Sequence, residues 1–181
     1  MIFLGLIVAI VAIALAAGLG IALGGGGGAN DSELSIGGCV ANTFPEQDRR
    51  HATQLPPDYK YNSFPPSSGT HNPQPAIWNI YDAPVRQMLL VHNLEHGGIV
   101  VQYGDQVPTE TVDQIRAWYS DNPNGKVVAP LPALKDKVAV TAWTHVMTCP
   151  GFNQEAFDKF TEAFRYKGPE RFPPSALEPG T

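Results

Sequence analysis

The stretch IVVQYGDQVPTETVDQIRAWYS, residues 99–120, decides the fold class, because it contains a strand followed by a helix. Its β-branched and aromatic beginning, Ile99–Tyr103, predicts a strand. Its second half predicts a helix over Thr109–Ser120. Apolar side chains recur there at helical spacing, at Val112, Ile115 and Tyr119. A strand joined closely to a helix indicates a domain that packs helices against a sheet.

The alternation of strands and helices continues on both sides of this stretch. Leu89–His92 is predicted as a partner strand, and Val127–Ala129 and Val138–Trp143 as two further strands. Asn153–Tyr166 is predicted as the second helix, with Asn153 as its N-cap. The order β-β-α-β-β-α predicts an α+β fold: a small, mostly antiparallel sheet with two helices on one side.

Residues 39–87 are predicted to form an irregular, proline-rich segment in front of this sheet. Eight prolines lie between positions 45 and 84. Aromatic side chains in the same segment supply buriable area and argue against disorder. The tail Phe172–Thr181 is predicted to be extended.

The N-terminus predicts a membrane segment. Residues 1–30 contain no Asp, Glu, Lys, Arg or His, and residues 1–23 are long enough as a helix to cross a bilayer. A cleaved signal peptide is the alternative, but its apolar core is usually shorter and has a basic start. The predicted organisation is a transmembrane anchor at 1–23, a glycine-rich tether at 24–38 and a domain at 39–181. The acidic flank Asp31 and Glu33 favours an extracytoplasmic domain, periplasmic or at the cell surface.

Composition and cysteine count limit the partners and the compartment. The formal charge is −5 and the sequence has no basic patch, which argues against a nucleic-acid partner. In an extracytoplasmic domain the two cysteines, Cys39 and Cys149, predict a disulfide. A metal-ligand role for Cys149 is the alternative.

The residues VHNLEHGG, 91–98, predict a metal site. His92 and His96 fall on one face whether the segment is a helix or a strand. Neutral imidazole suits copper, zinc, nickel and iron. Further ligands are expected from His71, in the loop that two prolines stiffen, and from His51. The thioethers of Met88 and Met147 would favour Cu(I).

Two other interpretations of these histidines stay open. They could serve a structural role, capping turns and binding backbone carbonyls. The pattern His92-Asn-Leu-Glu95-His96 also matches the inverted zincin motif H-x-x-E-H, in which the glutamate activates water on zinc. The glycines after His96 argue against the long helix which that site needs. Glu95 is therefore expected to orient a histidine from the second shell.

Three segments together resemble a bacterial family. They are YNSFPPSSGTH at 61–71, WNIY at 78–81 and LVHNLEHGG at 90–98. They are similar to the patterns of DUF3105, a domain of unknown function whose members typically carry an N-terminal membrane anchor or signal. Ser67, Thr70 and Asn79 depart from the family pattern, and none of these changes removes a histidine. The resemblance covers about residues 50–168, including Cys149 and the motif YKGPE that ends at Glu170. It implies a location and a site, but no reaction.

These observations predict a binding module rather than an enzyme. The expected function is transition-metal carriage or delivery, copper ahead of zinc, by a domain held to the membrane through the N-terminal helix. The first alternative is a non-catalytic accessory subunit of a larger membrane protein complex, respiratory or photosynthetic. The second is a zinc hydrolase that uses Glu95 as base.

Overall fold

The structure, a computed structural model, describes residues 30–181. In chain order its elements are α1 (Asp31–Leu34), β1 (Val40–Thr43), α2 (Gln87–Glu95), β2 (Ile99–Tyr103), α3 (Thr109–Asp121), β3 (Lys126–Pro130), β4 (Val138–Ala142), β5 (His145–Cys149) and α4 (Gln154–Phe164). Two short 3₁₀ helices lie at Pro132–Leu134 and Pro174–Leu177.

The fold is α+β, but its sheet is mixed, which corrects the predicted sheet. Five strands lie in the order β1-β5-β4-β2-β3. The pair β2 and β3 is parallel, because the crossover helix α3 joins these two strands, and the other three pairs are antiparallel. The short strands β1 and β5 were not predicted from the sequence.

The two predicted helices, α3 and α4, lie on one face of the sheet, but α2 covers the other face, so the prediction that helices lie on one side only is wrong. Successive residues of β2 point to opposite faces. Ile99 and Val101 pack in one core with α3 and α4. Val100 packs in a second core, with Leu94 of α2 and with Trp78, which precedes that helix. The described residues form four α-helices in all, and the second core places α2 over the sheet.

The segment predicted as the strand Leu89–His92 is part of helix α2. Strand-like composition over four residues was misleading, because the longer window QMLLVHNLE consists mostly of good helix formers. Leu90, Val91 and Leu94 lie on the face that packs on the sheet. The predicted strands at 99–103, 127–129 and 138–143 and both predicted helices are confirmed, within one or two residues at their ends. The side chain of Asn153 caps α4 by accepting from the amide of Ala156.

The disulfide between Cys39 and Cys149 is confirmed, with a Cα–Cα distance of 4.1 Å. It joins the residue before β1 to the end of β5. Leu34 of α1 is buried in the same core, so the packed part of the chain includes residues of the segment expected to be a tether.

The tail is not simply extended, because it contains the 3₁₀ helix Pro174–Leu177. Leu177 is fully buried in the core that contains Trp78, and the amide of Trp78 donates to the carbonyl oxygen of Thr181.

No helix within residues 30–181 has the length and apolar character needed to cross a membrane. The transmembrane helix predicted at 1–23 lies outside the described residues. The predicted fold class is therefore corrected for residues 30–181, which form a five-stranded mixed sheet with four α-helices.

Candidate metal centre

Backbone pairing brings His51 and His71 together. The two residues form an isolated parallel bridge, in which His71 N donates to Arg50 O and Ala52 N donates to His71 O. Asn72 N donates to Met88 O at the start of α2. These contacts hold the irregular segment against the helix that carries His92 and His96.

The loop before His71 is held by polar contacts. Gly69 has φ +111°, and a Cβ there would collide with the hydroxyl of Tyr59, so glycine is required. The Tyr59 hydroxyl accepts from Thr70 N, and the Tyr61 hydroxyl donates to Thr70 O. The direction of the His71 side chain is therefore set by the rigid loop around it.

The end of α2 positions the opposite side of the site. Gly97 N donates to Leu94 O and Gly98 N to Asn93 O, which is the Schellman motif that ends many helices. Gly97 has φ +85°, a conformation that glycine adopts without strain. Tyr166 N then donates to Gly97 O.

A backbone hydrogen bond brings Glu170 to the cluster. Glu170 N donates to Glu95 O, which fixes the segment after α4 against the end of α2. As a result Glu170 Oε2 lies 3.2 Å from His96 Nε2.

The inner part of the site centres on the buried carboxylate of Glu95. Glu95 Oε2 lies 2.9 Å from His71 Nε2 and 3.4 Å from His51 Nε2. His71 is fully buried and Glu95 is 2 % exposed, whereas the side chain of His51 is 43 % exposed. Trp143 closes this part of the site, since its ring lies edge-on to His71.

The outer part of the site lies around His96. His96 Nε2 is 2.8 Å from His92 Nε2, and the ring of Phe172 packs against the His96 ring. His92 is almost completely buried, and its ring stacks on that of His51. His92 therefore lies between the inner and the outer parts.

Backbone carbonyls fix the tautomers of His71 and His92. His71 Nδ1 lies 2.8 Å from Gly69 O, and His92 Nδ1 lies 2.6 Å from Asn72 O. A carbonyl oxygen only accepts hydrogen bonds, so each Nδ1 carries a proton and donates it. The lone pair of each neutral ring is then on Nε2, which in both residues faces the interior of the cluster.

Burial keeps two of the imidazoles neutral at physiological pH. Desolvation lowers the pKa of His92, and the nearby His71 and His51 lower it further. Desolvation, followed by repulsion from His92, lowers the pKa of His96 to about 4. Metal binding requires neutral imidazole, so these shifts keep both rings available as ligands.

Two groups of side chains in the described residues have the spacing of metal ligands. One contains His51, His71 and His92, and the other contains His92, His96 and Glu170. Within each group, one donor atom from every residue lies within 4.8 Å of the others. The structure thus brings together all four predicted histidines and places Glu95 in direct contact with two of them.

Other predicted donors lie elsewhere. Cys149 is in the disulfide, and Met147 is buried in the core on the opposite face of the sheet. The sulfur of Met88 contacts Arg86. The fifth histidine, His145 at the start of β5, was not among the predicted ligands and stacks on Phe164.

Glu170 is the candidate ligand that was not predicted from the sequence. It lies 74 positions after His96, so local spacing could not connect the two. Its one signal was its place at the end of the motif YKGPE at 166–170, within the family resemblance.

A model of a known protein family matches the part of the chain that contains most of this site. The family model described as "Protein of unknown function (DUF3105)" matches residues 54–176, about two thirds of the chain. The chain belongs to this family. No curated protein and no solved structure matches it. Four of the cluster residues, His71, His92, His96 and Glu170, lie within the part that matches the DUF3105 model, and His51 precedes it.

Proposed function

We propose that this DUF3105 protein binds a divalent transition metal ion, Cu(II) or Zn(II), through its histidine cluster, and that it carries or delivers this ion. The observation that carries the proposal is the orientation of His71 and His92. Each donates Nδ1–H to a backbone carbonyl and directs the Nε2 lone pair inward. Metal-binding histidines characteristically have such a partner on the second ring nitrogen.

The buried carboxylate of Glu95 supports the same proposal. Its oxygen lies 2.9 Å from the lone-pair side of the neutral His71 ring, so either a proton or a metal ion must hold these two acceptors together. A buried carboxylate is strongly unfavourable without a counter-charge. A divalent ion bound by the neighbouring imidazoles would supply that charge.

The donor set favours copper ahead of zinc. The donors are imidazole nitrogens and a carboxylate oxygen, which both ions accept. At a given site of this kind Cu(II) binds more tightly than Zn(II). Met147, one of the two thioethers that would favour Cu(I), lies in the core on the other face of the sheet. The preference for copper over zinc therefore rests on the imidazole and carboxylate donors alone.

A non-catalytic role agrees with the contacts of Glu95. A general base for hydrolysis needs an oxygen that is free to face a bound water. Glu95 Oε2 already contacts both His71 and His51. The hydrolase and the accessory-subunit interpretations stay predictions. The disulfide supports an extracytoplasmic location for metal carriage, because disulfides persist mainly in oxidising compartments.

Metal analysis of the purified full chain tests the proposal. After incubation with Cu(II) or Zn(II) and desalting, we expect one ion per chain. The double variant His92→Ala/His96→Ala is expected to lose the ion, whereas His145→Ala, which removes a histidine outside the cluster, is expected to keep it. Circular dichroism monitors folding, and the single variant His92→Gln, which removes the ligand common to both groups, covers the case in which the double variant unfolds. A folded parent chain that retains neither ion would contradict the proposal.

A further inference from the structure

We infer that the cluster holds one ion at a time in two alternative ligand sets that share His92, and that the ion passes between the sets through this residue. The outer set is His92, His96 and Glu170, and the inner set is His51, His71 and His92. The inference rests on the proposed function and describes how that same site loads and releases its ion.

The shared ligand makes the two sets mutually exclusive. His92 Nδ1 is 2.6 Å from Asn72 O and carries the proton of this hydrogen bond. The neutral ring therefore has one lone pair, on Nε2, and a lone pair binds one ion. Filling both sets at once would require removing the Nδ1 proton and breaking the buried hydrogen bond to Asn72.

The two sets differ in depth. In the outer set the side chain of Glu170 is 43 % exposed and that of His96 is 11 % exposed. The inner set has one equally exposed ligand, since the side chain of His51 is also 43 % exposed. Its deepest ligand is His71, which is fully buried and adjoins the buried carboxylate of Glu95. Of the two exposed ligands, Glu170 carries the negative charge that attracts a cation, so an ion from solvent is expected to meet this carboxylate first and the buried His71 last.

The ligand chemistry gives the transfer a direction. The inner set has three imidazoles beside a buried carboxylate, and the outer set has two imidazoles and a half-exposed carboxylate. Imidazole suits copper and zinc, whereas carboxylate suits harder ions such as magnesium and calcium. At equilibrium the ion is therefore expected in the inner set, with the outer set serving as the entry and exit position.

The geometry allows the exchange without rebuilding the site. His92 Nε2 lies 2.8 Å from His96 Nε2, so a bound ion can exchange His96 for an inner histidine while it keeps His92. The hydrogen bond from Glu170 N to Glu95 O ties the outer carboxylate to the helix that carries His92. Both sets can therefore form on one fixed backbone.

Binding kinetics separate this inference from the proposed function. Stopped-flow mixing of Cu(II) with the full chain would be compared for the parent, Glu170→Gln and His71→Gln. Glu110→Gln removes one exposed carboxylate on α3 and serves as the matched charge control.

For Glu170→Gln we expect association and dissociation to slow by the same factor, roughly tenfold, with the dissociation constant unchanged within about twofold. A residue on the path changes both rates together, whereas a ligand of the final state changes the dissociation constant. His71→Gln is expected to weaken equilibrium binding by roughly 10–100-fold, and its Cu(II) electron paramagnetic resonance spectrum is expected to lose the signature of one nitrogen. Glu110→Gln is expected to match the parent.

Three results would overturn the inference and leave metal binding itself intact. The first is two ions bound per chain. The second is unchanged rates in Glu170→Gln, which would show that the ion enters through the shallow groove beside His51. The third is a weaker dissociation constant in Glu170→Gln with unchanged association, which would make Glu170 a ligand of the final state. If the parent chain binds no ion, the proposed function fails first.

Discussion

The Nε2 atoms of His92 and His96 lie 2.8 Å apart at the C-terminal end of α2. Because the proton of His92 is on Nδ1, the hydrogen bond between these two atoms must be donated by His96. Glu170 Oε2 lies 3.2 Å from the same His96 nitrogen. One proton thus faces two acceptors. An ion bound there would replace this proton, which would move to His96 Nδ1 and leave the Nε2 lone pair free for the ion.

Glu95→Gln tests whether the buried carboxylate serves metal binding. The variant removes the negative charge and leaves the size of the side chain unchanged, so metal affinity is expected to fall roughly 10–100-fold. The metal-free protein is expected to keep or gain stability, because the new amide can donate to His71 Nε2 in place of an opposed pair of acceptors. Competition with a chromophoric chelator and urea denaturation in a chelator measure the two effects.

The opposite pattern would assign Glu95 a purely structural role. If a protonated histidine were the natural partner of this carboxylate, Glu95→Gln would destabilise the metal-free protein and leave metal affinity unchanged. Glu110→Gln again controls for the loss of one carboxylate.

Gly97→Ala tests the junction that positions Glu170. Gly97 has φ +85°, and a Cβ there would lie 2.8 Å from Gly168 N. We expect a loss of roughly 2–4 kcal/mol in the free energy of unfolding, because the backbone must shift. Metal uptake is expected to slow, since the same shift displaces Glu170.

Gly151→Ala is the matched control for this backbone effect. A Cβ at Gly151 meets nothing within 4 Å, so its effect is expected to stay within about 0.5 kcal/mol. Urea denaturation compares both variants with the parent. Equal stability of Gly97→Ala and the parent would show that the 166–170 segment is not fixed by this contact.

Local sequence patterns were sufficient to predict the helices and strands with clear periodicity. Ile99–Tyr103, the helix at 109–120 and the N-cap at Asn153 were predicted from local patterns alone. The segment 89–92 was mistaken for a strand because four apolar residues in a row fit a strand and a buried helix equally well. The placement of α2 on the opposite face depends on tertiary packing with Trp78, which local patterns do not encode.

In the candidate site, too, local patterns were predictable from the sequence and tertiary contacts were not. The spacing of His92 and His96 indicated convergence, because residues four apart share a helix face. The pairing of His51 with His71 depends on a bridge between two irregular segments, for which the sequence has no period. Glu170 joins the site through a backbone hydrogen bond to Glu95. The type of side chain at either position does not predict such a contact.

Removing the disulfide tests whether fold stability and metal binding are separable. The bond closes a loop of 110 residues, so Cys39→Ser/Cys149→Ser is expected to lower the free energy of unfolding by about 2–5 kcal/mol. Metal affinity is expected to stay unchanged in the folded variant, because both cysteines belong to the core on the α4 face of the sheet. Urea denaturation and chelator competition measure the two properties. Weaker metal binding by the folded variant would contradict this separation.

Lys126 is expected to make the free energy of unfolding depend on pH. Its side chain is 3 % exposed, and Nζ lies 3.6 Å from the centroid of the Trp118 ring. Desolvation, followed by repulsion from Arg165, lowers the pKa of Lys126 from 10.5 to about 8. Below this pH the lysine is protonated in both states, and the folded protein carries a buried charge.

Between about pH 8 and pH 10.5 the unfolded chain holds a proton on Lys126 that the folded protein has lost. Stability rises with pH wherever the unfolded state binds more protons, so this lysine should make the free energy of unfolding increase across that window. The increase is on the order of 3 kcal/mol at most.

Lys126→Met keeps a long side chain over Trp118 and lacks the titrating group. Urea denaturation of both proteins at pH 7.5 and pH 10 isolates the effect, because every other titrating group is common to both. The parent is expected to gain stability relative to Lys126→Met as the pH rises, and a constant difference would show that Lys126 titrates at its ordinary pKa.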